Sequence, residues 1–234
     1  MVAPQHRQSE RKRMGPAEWV YLNGSFVKAD EASLSPFDRG LLFAHAAYEV
    51  TAVFNGKLID FEGHARRLFR TLEGIEIPPP FDADALEMLH RELLKRNGVT
   101  EGFVYLQVTG GAYGTRDFAG PKALEPGIFL FCEARTLIGE RARDGVGAIL
   151  VEDQRWKRRD YKTTQLLSQA LAYRAAERAG VFGAILHEDG RVTEAASANL
   201  WVVLEEERVL TRNLGHQILP GITRQSVLDR LREA

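Results

Sequence analysis

Apolar and polar residues alternate from Trp19 to Lys28 around Asn23-Gly24, the pattern of a tight two-stranded hairpin. The segment LSPFDRG, beginning at Leu34, is turn-rich, and Tyr48 to Phe54 reads as a buried strand that turns at Asn55-Gly56 into Lys57 to Asp60. Apolar positions then change to helical spacing over Phe61 to Ile75 and Asp82 to Asn97, with Pro78 to Pro80 between them and Gly98 as the second stop. Phe103 to Thr109 and Gly127 to Ala134 read as strands on either side of the loop GGAYGTRDFAGP. Thr136 to Arg143 is a polar link, and Val146 to Glu152 is the next strand. Leu166, Leu167, Ala170, Leu171 and Ala175 mark the apolar face of a helix stopped by Gly180; Val181 to His187 is a strand turned by Glu188, Asp189 and Gly190. Asn199 to Leu204 and Arg208 to Thr211 are strands, and a last helix opens at Ile222 behind Gly221.

Interspersed helices and strands predict an α/β (α+β) chain in two halves, residues 18–135 and 144–234, joined by residues 136–143 and preceded by a loose tail of residues 1–17. With 234 residues, 44% of them apolar, it can bury a sizeable core. A formal net charge of -1 gives no reason to expect nucleic acid or an anionic membrane, which leaves a small soluble molecule as the expected partner. Cys132 is the only cysteine, so neither an intrachain disulfide nor a cysteine zinc site is possible, and a buried strand thiol is expected. Residues 1–17 carry Arg7, Arg11, Lys12 and Arg13 but no apolar run of signal-peptide length, so a cytoplasmic protein is expected.

Candidate chemistry gathers between Arg155 and Val203. Lys162 stands just ahead of a helix and Glu194 just after a tight turn. A buried lysine amine condenses with an aldehyde, and an acid facing a pyridine nitrogen keeps that ring protonated, the pairing that pyridoxal phosphate chemistry uses. Arg155, Lys157, Arg158 and Arg159 are expected to give Lys162 its cationic setting. On pattern alone, a lysine among arginines is also an ordinary solvated surface residue. Ile222 and Thr223 open a helix whose free N–H groups favour a phosphate, although Pro220-Gly221 is ordinary helix punctuation as well. The glycine-rich loop after Thr109 has neither a Walker A lysine nor the dinucleotide fingerprint.

The order RW-x-R-x-D-x-K, a Leu/Ala helix, AILH, a glycine turn, VTE, S-x-N and an apolar strand resembles the class IV pyridoxal-phosphate aminotransferases, and is most similar to the D-amino acid aminotransferases among them. The resemblance implies a two-domain fold type IV enzyme, with a smaller N-terminal α/β domain and a larger, barrel-like C-terminal one. It implies transamination between a D-amino acid and a 2-oxo acid such as 2-oxoglutarate or pyruvate. Lys162 would bear the cofactor and Glu194 would face its ring nitrogen. Arg67 of H-x-x-R-L, with Ile222 and Thr223 of L-x-G-I-T-R, would hold the phosphate, and Leu219 would back the ring. Tyr48 and Arg116 would bind the substrate carboxylate, Arg116 reaching in from the neighbouring subunit of a homodimer.

Three positions depart from the family pattern. Phe118 stands where a histidine is usual, Thr109-Gly110-Gly111 replaces T-R-G, and Ala44-His45-Ala46-Ala47 replaces G-D-G or A-D-A. They imply an altered carboxylate pocket with looser selectivity. Family members normally continue past the position of Ala234, so the family pattern is incomplete there. The rival readings are an (R)-amine or branched-chain aminotransferase, aminodeoxychorismate lyase, and a non-catalytic scaffold on the same fold.

Overall fold

The computed structural model describes residues 17–205 and 208–233, so the expected tail lies outside the described residues except for Ala17. Strands β1 (Trp19–Leu22) and β2 (Ser25–Lys28) form the hairpin, with Asn23 and Gly24 at φ 43° and 98° as a tight mirror-image turn requires. A short helix α1 (Arg39–Phe43) is capped by the Asp38 carboxylate, which accepts from the Gly40 N–H at 2.7 Å. Then come β3 (Ala46–Phe54), β4 (Lys57–Leu58), α2 (Phe61–Gly74), α3 (Ala83–Asn97), β5 (Gly102–Thr109) and β6 (Gly127–Ala134). The six strands make one antiparallel sheet in the order β2-β1-β6-β5-β3-β4.

Period-two alternation sorts this sheet into two faces. Val53, Val104, Leu106 and Leu130 are buried with Leu68 and Leu72 of α2 and Leu86 and Leu93 of α3 in one core. Cys132 lies in it, and burial pushes its thiol up to about 11, which keeps it protonated and unreactive. Across the opposite face Tyr48, Tyr105 and Phe131 stack, with centroids 5.6 and 4.9 Å apart.

The second half comprises α4 (Glu140–Asp144), β7 (Ala148–Glu152), α5 (Leu167–Arg178), β8 (Gly183–Glu188), β9 (Arg191–Ala195), β10 (Trp201–Val203), β11 (Val209–Thr211) and α6 (Ile222–Glu233). β7 and β8 pair in parallel, with α5 in the connection between them, and β9 pairs antiparallel to β8; β10 and β11 form a separate ribbon. Two expectations need correction. A short helix, α4, begins within the stretch read as a polar link. The leucines of α5 do not face its core: Leu167 and Leu171 are 73% and 50% exposed, whereas Ala172 and Ala176 are buried. The sheet core of β8 takes small side chains, which let the helix lie close. Among the described residues no helix is long and apolar enough to cross a membrane.

Candidate active site

Helix α2 and the start of β3 are where the two halves meet. Lys162 is tied down through its backbone at both ends: its carbonyl accepts from the Tyr48 N–H at 3.0 Å, and its N–H donates to Thr71 Oγ1 at 3.3 Å. Beside it, Thr163 bridges to Ala47 and the Thr164 N–H donates to the Ala46 carbonyl at 3.2 Å. The preceding Tyr161 ring lies on Gly74, where a Cβ would come within 2.1 Å of its Cζ, so α2 needs a glycine at that turn. These contacts leave the Lys162 side chain free to point into a cavity of about 820 Å³, with its Nζ 4.1 Å from the centre of the Tyr48 ring.

Of the eight residues expected to hold cofactor or substrate, seven line that cavity: Tyr48, Arg67, Lys162, Glu194, Leu219, Ile222 and Thr223. Arg116 does not. Its guanidinium lies over the rings of Phe43 and Phe118, at 5.5 and 4.9 Å, on the loop after β5. Gly110 and His45 do not line the Lys162 cavity either; they form the base of that loop.

One end of the cavity suits an anion. Arg67 is buried, its Nε and Nη2 donating to the two Glu49 oxygens at 2.7 Å each and its Nη1 to the Pro220 carbonyl at 3.1 Å. Three of a guanidinium's five N–H groups are thus engaged, leaving two. His64 Nδ1 also meets Glu49 Oε2 at 2.7 Å. Burial opposes the charge on Glu49, but the hydrogen bonds from Arg67 and His64 outweigh it and hold this carboxyl below its ordinary value of 4.5. Alongside, the first helical bond of α6 is Gln225 N–H to the Gly221 carbonyl, so the amides of Ile222, Thr223 and Arg224 stand ahead of the helical ladder at the positive end of the dipole.

The other end suits a cation. Glu194, 4% exposed, accepts from Arg155 Nη1, from Asn199 Nδ2 at 2.8 Å and from the Leu219 N–H at 3.1 Å. The Leu219 N–H also reaches the other Glu194 oxygen at 3.3 Å, so three donors are spread over both oxygens of the carboxylate. Burial raises the Glu194 carboxyl above its ordinary value of 4.5, with Arg155 pulling the other way. Arg155 is itself gripped by Asp153, through Nε–Oδ1 at 2.9 Å and Nη2–Oδ2 at 2.8 Å. Asn199 joins the two ends, donating to the Leu219 carbonyl at 2.9 Å as well as to Glu194. At Gly221 a Cβ would meet Asn199 Oδ1 at 2.0 Å.

Of the four cations expected to surround Lys162, three are paired with acids. Arg155 pairs with Asp153 and Glu194, Arg158 with Asp160, and Arg159 with Glu188. Sequence reasoning gave no role to Glu49, Thr71 or Asn199. The signal for Glu49 was its place in the period-two set Ala47, Glu49, Thr51, Val53, an acid on a strand face that is otherwise buried.

A family model described as Amino-transferase class IV matches residues 46–234. The D-alanine aminotransferase of Staphylococcus epidermidis is 34% identical over 208 residues, 89% of this chain and 73% of that protein. That of Listeria innocua is 32% identical over 212 residues, 90% and 73% respectively. Among solved structures, the Escherichia coli branched-chain amino acid aminotransferase superposes with a TM-score of 0.84 at 19% identity, covering 93% of this chain and 75% of that one. The branched-chain aminotransferase of Thermoproteus uzoniensis does so with a TM-score of 0.79 at 24% identity, over 94% and 75%. Matches at that identity carry the fold, while the family model and the curated relatives carry the kinship: the chain belongs to the class IV aminotransferases, which work with pyridoxal phosphate.

Proposed function

We propose that this aminotransferase moves an amino group between a D-amino acid and a 2-oxo acid such as pyruvate or 2-oxoglutarate. The observation that carries the reading is the 34% identity to D-alanine aminotransferases across 89% of the chain. The residues fit the cofactor: two unused Arg67 N–H groups and the α6 amides suit a phosphate, Lys162 supplies an amine at the cavity wall, and Glu194 places a carboxyl on the wall of the same cavity for a ring N–H. Gly221 has no room for a Cβ, which leaves bare backbone beside the phosphate end. When bound, pyridoxal phosphate supplies the aldehyde carbon and the electron-withdrawing ring.

Every other part falls to the chain. Arg67, Ile222 and Thr223 would anchor the phosphate, Leu219 would back the ring, and Glu194, braced by Arg155 and Asn199, would hold the proton on the ring nitrogen. Lys162 would hold the cofactor through Nζ, and its amine would serve as the base that takes the proton from the substrate Cα. Tyr48 and Arg116 orient the substrate carboxylate, which fixes the face of Cα presented to Lys162 and hence the stereochemistry. Arg116 stands outside the cavity of its own chain, which accords with its serving the site of a second subunit in a homodimer. Assays of the purified protein with 2-oxoglutarate and, in turn, D-alanine, L-leucine and (R)-1-phenylethylamine test this. D-alanine is the expected donor; turnover of L-leucine alone would overturn the assignment.

A further inference from the structure

Two of the departures from the family pattern, His45 and Gly110, meet in space. A Cβ at Gly110 would stand 2.8 Å from His45 Nδ1, and the φ of Gly110 is not among the positive values, so glycine here supplies room and not conformational freedom. The imidazole and a side chain at 110 compete for one volume. The two departures are therefore one change.

The partners of His45 assign its tautomer. Nε2 lies 2.8 Å from the Ile75 carbonyl, which only accepts, so Nε2 carries the hydrogen. Nδ1 is then bare and accepts from Arg39 Nε–H at 3.1 Å. Arg39 is buried, and its other two nitrogens donate to loop carbonyls: Nη1 to Asp117 at 2.7 Å and Nη2 to Phe118 at 2.8 Å. Gly120, at φ 71°, lets the loop close over it, because a Cβ there would sit 2.8 Å from Nη1. One neutral imidazole thus orients the guanidinium that holds the backbone on both sides of Phe118, next to Arg116.

We propose that His45 is a positioning residue: its neutral ring latches the loop of residues 112–120 through Arg39, and a proton on Nδ1 releases that latch. A carboxylate at 45, as the family pattern usually has, would face Arg39 as a charge partner through the neutral range. A protonated imidazole would set an N–H against the Arg39 Nε–H with no acceptor between them. The added charge would have no acid beside it in the cavity that His45 lines, among the described residues. Arg39 from α1 and Arg158 and Tyr161 from the lysine segment line the same cavity, the end of α2 contributes only Gly74 and the carbonyl of Ile75 just beyond it, and no carboxylate lines it among the described residues. The neighbouring Asp38 is engaged by the Gly40 N–H and the Thr109 hydroxyl, and Arg158 by Asp160.

The latch itself stands apart from the reading of Arg116 as a carboxylate ligand; only its effect on substrate binding rests on that reading. The test is amide exchange of the 112–120 segment in the holoenzyme across about pH 5 to 8, the histidine range, referenced to intrinsic exchange at each pH. Wild type should lose protection as pH falls. His45→Asn, whose amide oxygen can accept from Arg39 without titrating, should keep it throughout, and Gly110→Ala, which crowds the ring off Arg39, should lack it at every pH. With the latch goes an increase of about tenfold in KM for D-alanine at the acid end, with little change in kcat. Protection that does not vary with pH in wild type, or that still varies in His45→Asn, would overturn the latch. If protection titrates while KM stays flat, the latch holds and the role given to Arg116 falls.

Discussion

The two charged ends of the cavity have opposite polarity. At the phosphate end an acid, Glu49, holds a cation, Arg67; at the ring end a cation, Arg155, holds an acid, Glu194. Both acids are almost wholly buried, yet they shift in opposite directions, Glu49 downward and Glu194 upward. Glu49 receives two hydrogen bonds from Arg67 and one contact from His64, enough to overcome desolvation. Arg155 divides itself between Glu194 and Asp153, so Glu194 is left the less compensated of the two. On the proposed function the difference separates a structural acid from a working one: Glu49 is held charged against Arg67, whereas Glu194 is the more readily protonated of the two.

Removing Lys162, which lines the same cavity as both ends, has the largest expected effect on turnover. Lys162→Ala should abolish it while leaving both ion pairs in place, so the protein should still unfold near the wild-type midpoint. At the phosphate end Arg67→Ala strands a buried Glu49 and should cost about 3 to 5 kcal/mol in denaturant unfolding. At the ring end Glu194→Gln should lower kcat on the order of a hundredfold and, because its NH2 would face a donor, cost about 1 to 3 kcal/mol in stability, less than the loss at Arg67. Equal stability losses from these two changes would erase the contrast. Gly221→Ala should displace Asn199, loosen both ends together, and weaken cofactor binding about tenfold.

The smallest effect is in the pH dependence of stability. A depressed carboxyl gives stability that is present above the ordinary value of 4.5 and lost as pH falls through the folded pKa, so Glu49→Gln should flatten the acid limb. A raised carboxyl acts in reverse. Between 4.5 and its folded value Glu194 binds more proton folded than unfolded, so stability falls as pH rises through that window, and Glu194→Gln should remove that slope. Thermal midpoints of both variants across the acid range measure each sign.

The chain's punctuation announced much of this. Asn23-Gly24 and Asn55-Gly56 give both hairpins, and Gly98 ends α3 in the left-handed conformation. The motif residues of the second half come together as read, because each lies at the end of an element whose pattern is local. What sequence could not give was pairing at long range. The arginines beside Lys162 turn to carboxylates up to 39 positions away instead of toward the amine. Glu49 meets Arg67 from another element, and Asn199 reaches Leu219 across 20 residues. The face that α5 buries was misread for a related reason: the depth available over β8, and not helical period, decides whether Leu or Ala goes inward.

The central claim is that the cofactor is held on Lys162, between the two charged ends. Borohydride reduction of the cofactor-loaded protein, followed by peptide mapping, tests it most directly. The account predicts a phosphopyridoxyl group fixed on the Nζ of Lys162, absent from Lys162→Ala. A label on another lysine of the wild-type protein would contradict it.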